Sequence, residues 1–146
     1  MKIISFIRGM VLIAYKGFNQ DFTCQGFQYK EGETYTHDGE LILKKSGFHS
    51  SPNPMYILNH YQPCNNARFA LVDIRGKILD YKEIYISSKI RIVLEMTFDD
   101  MVKYWLNKDP DLSQIDSEGQ TFLDIAKKHN LKDIEELIIK KQSKNG

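Results

Sequence analysis

Apolar residues in the first two thirds of the chain follow the two-residue period of β-strands. MVLIAYKGF (residues 10–18) is a run of β-forming residues. RFALVDIRGKILDY (residues 68–81) predicts two strands joined by a tight turn at Arg75 and Gly76. SKIRIVLEM (residues 88–96) alternates, which predicts a strand with four apolar residues on one face: Ile90, Ile92, Leu94 and Met96.

Shorter strands are predicted between and before these runs. GFQYKEGETY (residues 26–35) alternates aromatic residues and contains a turn signal at Glu31 and Gly32. ELILKKSGFH (residues 40–49) alternates from its first leucine onward. The chain start, MKIISFIRG (residues 1–9), also predicts a strand, because a charge interrupts an apolar stretch too short for a signal peptide.

Helical signals appear at Asn53 and again from Thr97 onward. Asn53 and Pro54 have the residue types of a helix cap and a first helical position, which predicts one short helix over residues 54–61. Thr97, with Asp100 three residues later, is typical of a capping box and begins a second helix. The apolar residues of that helix recur at helical spacing: Phe98, Met101, Val102, Trp105 and Leu106.

These elements predict an α+β protein in three parts. A compact, mostly antiparallel β domain with one short helix occupies residues 1–96. Helices, the last two of them separated at Asn130, occupy residues 97–141 and are expected to lie on the sheet. Residues 142–146 are predicted to form a frayed tail.

Composition and charge favour a cytoplasmic protein without a charge-driven partner. The 146 residues suffice for one domain with a core. A net charge of +1 gives no field to attract nucleic acid or an acidic membrane, and no apolar run reaches the length of a membrane span. Cys24 and Cys64 lack metal-ligand spacing and are predicted to be reduced thiols. No cofactor is predicted, and the oligomeric state stays open.

Residues 116–138, DSEGQTFLDIAKKHNLKDIEELI, resemble an ankyrin repeat. The resemblance implies a turn that begins an inner helix, with a second helix behind it. Because about three repeats are needed for a free-standing solenoid, this segment is expected to cap the sheet, and a recognition surface is the alternative. The matching positions are Asp116, Gly119, Thr121, Leu123, Ala126, Ile134 and Leu137.

The N-terminal part resembles a family of small, mostly uncharacterised proteins of phages, prophages and large DNA viruses. The resemblance rests on five blocks in a fixed order between residues 13 and 96: AYKGF, CQGFQYKEGETY, GFHSSPNPMYILNHY, RFALVDIRG and SSKIRIVLEM. It implies a compact β-rich domain of viral or mobile-element origin that acts in the cytoplasm of a host cell.

Residues able to bind a ligand concentrate in SGFHSSPNP (residues 46–54). The N–H groups of the predicted helix start can receive an anion, and the imidazole of His49 can bind that anion or donate a proton. The alternative is a strand end followed by a turn and a helix cap. The candidate ligand-binding residues are His49, Ser50, Ser51, Tyr15, Lys16 and Tyr56.

Two functions are expected from these features. The first is a non-enzymatic binding module that recognises a host protein or a small nucleotide-like ligand and counters a host defence system. The alternative is an enzyme acting on NAD, because the order of the blocks is similar to that of ADP-ribosyltransferases. On that similarity Lys16 or Tyr15 takes the first position, Ser50 the second and Glu95 the third. Such an enzyme requires His49, Ser50 and Glu95 to converge in one cleft.

Overall fold

The computed structural model describes residues 2–5 and 11–145, with the backbone alone at residues 2–5, 64 and 145. The strands are β1 (Lys2–Ser5), β2 (Leu12–Phe18), β3 (Thr23–Cys24), β4 (Phe27–Gln28), β5 (Thr34–Thr36), β6 (Phe48–Ser50), β7 (Arg68–Asp80) and β8 (Tyr85–Met96). The α-helices are α1 (Phe98–Leu106), α2 (Phe122–Lys128) and α3 (Lys132–Asn145), and 3-10 helices span Pro54–Asn59 and Pro63–Asn65. The fold is therefore α+β, with a mostly antiparallel sheet in the first two thirds and helices at the C-terminus.

The sheet is organised by a long hairpin of β7 and β8. β1 and β2 pair with the outer edge of β7, while β5 and β6 pair with the outer edge of β8, all antiparallel. Directly after β6, Ser51 exchanges two backbone hydrogen bonds of 2.8 and 2.9 Å with Tyr15 of β2. These pairings close β2, β7, β8 and β6 into a ring. Of the predicted N-terminal strand, residues 1 and 6–9 lie outside the described residues.

Two irregularities in the β7–β8 pairing depart from the predicted pattern. β7 continues through Gly76, where the sequence predicts a turn, because β8 supplies hydrogen-bonding partners on both sides. One extra residue bulges between Arg75 and Ile78, and Gly76 has a φ of 77° there. A second register shift, beside Val72, reverses the alternation of β8. Leu94 and Met96 therefore lie opposite Leu71 and Phe69, on the other face from Ile90 and Ile92, although the sequence places all four on one face. Leu94 is 48% exposed there.

The segment between β5 and β7 is less regular than predicted. Within residues 40–49 only the last two join a strand, while Ile42 and Ser46 pair across a tight turn. The helix predicted after Asn53 forms as a 3-10 helix rather than an α-helix, and the Asn53 side chain caps it.

Apolar side chains form two large clusters on opposite faces of the curved sheet. Neighbouring residues divide between them, since Ala14 and Val72 belong to one cluster, whereas Tyr15 and Leu71 belong to the other. The second cluster also contains Trp105 and apolar residues of α2 and α3. The C-terminal helices thus cover one face of the sheet.

The C-terminal helices begin close to the predicted positions. Thr97 caps α1, and Thr121 caps α2 in a reciprocal capping box. The five apolar residues predicted to face inward from α1 are all buried. α3 continues to Asn145, so most of the predicted frayed tail is helical, and Gly146 lies outside the described residues.

Candidate functional site

The hydrogen bonds between Tyr15 and Ser51 bring the AYKGF and GFHSSPNP blocks together around one cavity. The cavity has a volume of about 410 Å³. Cys24, Lys44 and Glu83, which the sequence does not single out as ligand-binding residues, contribute to its lining. All six residues predicted to bind a ligand line it as well: Tyr15, Lys16, His49, Ser50, Ser51 and Tyr56.

Lys16 is the most unusual residue of this cavity, because its ammonium is buried without a carboxylate. The residue is 3% exposed. Its Nζ donates to the carbonyl of His49 and lies 3.6 Å from Cys24 Sγ, and no carboxylate of the described residues lies within 4.0 Å. Burial lowers the pKa of Lys16, while the adjacent Cys24 sulfur opposes that shift. One carbonyl and one weakly accepting sulfur leave part of the ammonium's capacity of three hydrogen bonds unused.

Ser50 supplies a second incompletely bonded polar group. The residue is 6% exposed, and its Oγ has no hydrogen-bond partner among the described residues. Buried hydroxyls almost always have a partner. Since Ser50 lines the same cavity as Lys16, a ligand or a water molecule there would satisfy both groups.

The start of the 3-10 helix does not provide the anion site that the sequence predicts. Asn53 Oδ1 accepts the N–H of Tyr56 at 3.2 Å, and Pro54 has no N–H to offer. The Ser51 Oγ lies 2.8 Å from the carbonyl of Asn53 and 3.1 Å from that of Glu83. These contacts make Ser51 and Asn53 structural residues that hold the cavity wall in place.

His49 lines the cavity, but both ring nitrogens are occupied by the backbone. Nε2 accepts the N–H of Lys44 at 2.8 Å, so Nδ1 carries the proton and donates to the carbonyl of Gly47 at 3.2 Å. Burial, followed by the charge of Lys16, lowers the pKa of His49. The imidazole is therefore held neutral as a brace between two loop segments. This geometry does not support the predicted role of His49 as a proton donor.

We expect His49→Gln to reduce the acid sensitivity of the fold. The pKa of His49 in the folded protein is below its reference value of 6.5, so the unfolded chain binds the proton more readily. His49 therefore contributes stability at pH values above 6.5, and this contribution is lost as the pH falls through the lowered pKa. The glutamine Oε1 can still accept the Lys44 N–H but does not titrate. Urea denaturation should therefore show the stability advantage of the wild type over the variant shrinking from about pH 7.5 to about pH 5.

A stability difference between His49→Gln and the wild type that stays constant over this pH range would contradict the assignment of His49 as a buried neutral brace.

Glu95 lies far from this cavity, so the arrangement required for an ADP-ribosyltransferase is not formed. His49 pairs with Ile86 of β8, and Glu95 is nine residues further along that strand, a separation of about 30 Å. There the Glu95 carboxylate accepts two hydrogen bonds of 2.6 and 2.7 Å from the Arg68 guanidinium. Hydrogen bonding from Arg68 lowers the pKa of Glu95. His49, Ser50 and Glu95 therefore do not converge in one cleft.

Aromatic and aliphatic side chains form the remaining walls. Tyr61 Oη lies 3.1 Å from Cys24 Sγ, which is a free thiol with 7% exposure. A Cβ at Gly17 would lie 2.7 Å from both Ile57 Cγ2 and Tyr61 Cδ2. Glycine at this position of β2 is thus required for the Tyr61 ring to approach the strand. The side chain of Cys64 lies outside the described part of the chain.

The formal charges around the cavity favour an anion. Lys16 and Lys44 are cationic, and Glu83 is the one carboxylate among the described lining residues. The Glu83 Oε1 already accepts the N–H of Ser117 at 2.5 Å, in the loop before α2. The cavity therefore combines a buried cation, an unbonded hydroxyl and aromatic walls, which suits a small anion that also carries a flat ring.

Among the described side chains, no group of three or more His, Cys, Asp or Glu residues is arranged to hold a metal ion. None of the helices described for this chain combines the length and hydropathy that crossing a bilayer requires.

Comparison with known proteins gives one match. A family model described as Domain of unknown function (DUF7666) matches residues 12–104, which include every lining residue of the cavity. No curated protein and no solved structure matches the chain significantly. The segment that resembles an ankyrin repeat lies outside the matched range, and its assignment stays a prediction, as does the viral origin.

Proposed function

The chain belongs to the DUF7666 family, a domain of unknown function, and we propose a function from the cavity itself. The protein is a non-enzymatic binding module for a small nucleotide-like anion, which the cavity around Lys16 holds. The observation that carries this proposal is the buried Lys16 ammonium, which has no carboxylate partner among the described residues.

A buried ammonium without a counter-ion is costly, and a bound anion would remove that cost. Transferring a charge from water into a protein interior is unfavourable by several kcal/mol unless the charge is paired. A phosphate or carboxylate near Lys16 Nζ would supply the missing charge, and the Ser50 Oγ would donate a further hydrogen bond to it. Both groups are already in place on paired backbone segments, so little ordering is needed on binding.

The size and walls of the cavity narrow the ligand class. A volume of about 410 Å³ lies within the range of small-molecule sites in proteins. Tyr56, Tyr61 and Ile84 contribute rings and an aliphatic surface to the lining, against which a purine or pyrimidine ring can stack. A mononucleotide offers both a phosphate and such a ring.

Binding without catalysis fits the lining residues better than turnover does. Both ring nitrogens of His49 are engaged by backbone groups, so the imidazole is not poised as a general base. The resemblance to phage, prophage and large-virus proteins adds a setting, in which the ligand is a nucleotide signal of a host defence system. That setting rests on the resemblance, whereas the anion site rests on Lys16.

A thermal-shift panel tests this proposal. Mononucleotides, cyclic dinucleotides, ADP-ribose and NAD would each be compared with the matching nucleoside, which lacks the phosphate. A ligand at about one hundred times its Kd adds about 2.7 kcal/mol, a rise of several degrees in Tm for a domain of this size. We expect at least one phosphate-bearing ligand to raise Tm while its nucleoside does not. Equal shifts from nucleoside and nucleotide, or no shift from any ligand, would contradict the proposal.

Anion binding at Lys16 should also be linked to proton uptake. Because burial lowers the pKa of Lys16 below 10.5, the ammonium is lost as the pH rises through the lowered value, and anion affinity should fall with it. Calorimetric titration of AMP in two buffers with different ionisation enthalpies should show net proton uptake in that pH range.

The matched control for this linkage is Lys16→Arg. A guanidinium keeps its proton at these pH values, so the variant's AMP affinity should be independent of pH. A pH-independent affinity in the wild type, without proton uptake, would place the anion away from Lys16.

A further inference from the structure

Three reactive side chains of the cavity lining meet at Cys24. Cys24 Sγ lies 3.6 Å from Lys16 Nζ and 3.1 Å from Tyr61 Oη. All three residues line the cavity, so a small solute that enters it can reach the sulfur. Cys24 itself is 7% exposed, which keeps the thiols of other proteins away from it.

We propose that a peroxide oxidant links Cys24 to Lys16 through a nitrogen–sulfur bond. In the first step hydrogen peroxide transfers an oxygen atom to Cys24 Sγ, which gives a sulfenic acid and one water. The sulfur is oxidised by two electrons and the peroxide is reduced by two. In the second step the neutral Lys16 amine attacks the sulfur, and the S–O bond breaks as the N–S bond forms. The hydroxyl group leaves with an amine proton as a second water.

The surroundings of the pair favour the second step over further oxidation. An attacking amine must be uncharged, and burial lowers the pKa of Lys16. The Tyr61 hydroxyl also contacts the Cys24 sulfur, and it can donate a hydrogen bond to the departing oxygen. Condensation of a sulfenic acid with a nitrogen nucleophile is a reversible form of cysteine oxidation, so a thiol reductant should restore both residues.

The crosslink would have a consequence for ligand binding. It converts the Lys16 ammonium into a neutral sulfenamide, which removes the buried cation of the cavity. Oxidation would then release a bound anion and act as a redox control of binding. This consequence rests on the proposed function, whereas the crosslink itself does not.

Mass spectrometry of the peroxide-treated Cys64→Ser protein tests the crosslink, because this variant has no second thiol for a disulfide. We expect a loss of about 2 Da from the intact protein, reversed by dithiothreitol. Trypsin should leave residues 9–30 as one peptide that carries this loss, because cleavage after Lys16 is blocked. In the wild type, the same peptide map distinguishes the crosslink from a disulfide between Cys24 and Cys64.

Lys16→Arg in the Cys64→Ser background is the matched control. It keeps a cation beside the sulfur but lacks a nucleophilic amine, so its Cys24 should gain about 16 or 32 Da as sulfenic or sulfinic acid. A mass gain of about 16 or 32 Da, or no change in mass, in the Cys64→Ser protein with Lys16 intact would overturn the proposal. So would a loss of about 2 Da that persists in the Lys16→Arg variant. None of these readouts depends on nucleotide binding.

Discussion

Lys16→Met is expected to make the protein more stable and, in the same variant, to weaken ligand binding. Methionine has a similar length and fills apolar space, so it replaces a buried charge whose contacts are one carbonyl, one thiol and the rings of Phe18 and Tyr29, with no carboxylate among the described residues. Replacing a buried ion pair by apolar side chains is often neutral or stabilising by about 1–4 kcal/mol. For this single buried charge we expect a gain of about 1–2 kcal/mol by urea denaturation, in the lower half of that range, since the hydrogen bond to a carbonyl is lost as well. AMP affinity should fall roughly 10- to 100-fold, the usual effect of losing a charged hydrogen bond.

Lys45→Met is the matched control, since Lys45 is exposed and does not line the cavity. Its stability should stay within about 0.5 kcal/mol of the wild type, with unchanged affinity for AMP. Strong destabilisation by Lys16→Met would show instead that the lysine is a structural residue. The opposite signs of the two expected effects separate a functional lysine from a structural one.

Trp105→Ala is expected to cause the largest loss of stability. Trp105 is 4% exposed, and its ring packs edge-on against Phe122 with a centroid distance of 4.9 Å. It belongs to the cluster that joins Leu71 of the sheet to Ile134 of α3. Removing a buried tryptophan side chain costs about 3–5 kcal/mol, a large share of the about 5–15 kcal/mol that holds a domain together. The urea midpoint should fall accordingly.

The shape of that unfolding transition tests whether the helices and the sheet form one cooperative unit. Circular dichroism and tyrosine fluorescence should report the same midpoint in Trp105→Ala. Leu94→Ala, at a position 48% exposed, is the control and should change stability by less than about 1 kcal/mol. Two separate transitions in Trp105→Ala would mean that the C-terminal helices are a detachable segment rather than part of the core.

Local sequence signals predict an element correctly where its structure depends only on residues that are close in the sequence. The cap at Thr97 and the five apolar positions of α1 depend on neighbouring residues only, and the structure confirms them. Gly76 carries the same local signal in a turn as in a bulge, and the difference is made by β8, which pairs on both sides of it. The face on which Leu94 lies likewise depends on a register shift beside Val72, which no pattern within β8 can reveal.

The candidate site could likewise be predicted only in part from local signals. The sequence indicates Ser50 by its place beside His49, and it indicates Tyr15 and Lys16 through the similarity to ADP-ribosyltransferases. The pairing of β2 with the residue after β6 brings the three together. The sequence assigned the leading role to His49, because an imidazole beside two serines resembles a reactive group. In the structure Lys16 takes the leading role because its ammonium is buried, whereas both ring nitrogens of His49 are occupied by backbone groups. Cys24 was missed, because its contact with Lys16 depends on how β3 folds against β2.

The central claim is that an anion binds beside Lys16, and an NMR titration of the wild-type protein with AMP tests it most directly. Proton–nitrogen correlation spectra report each backbone amide separately, so they locate a ligand as well as detect it. We predict saturable shifts of the amides at Lys16, Gly17, Ser50 and Ser51, which line the cavity, with no such shifts in α3. An unchanged spectrum, or shifts confined to residues away from the cavity, would contradict the account.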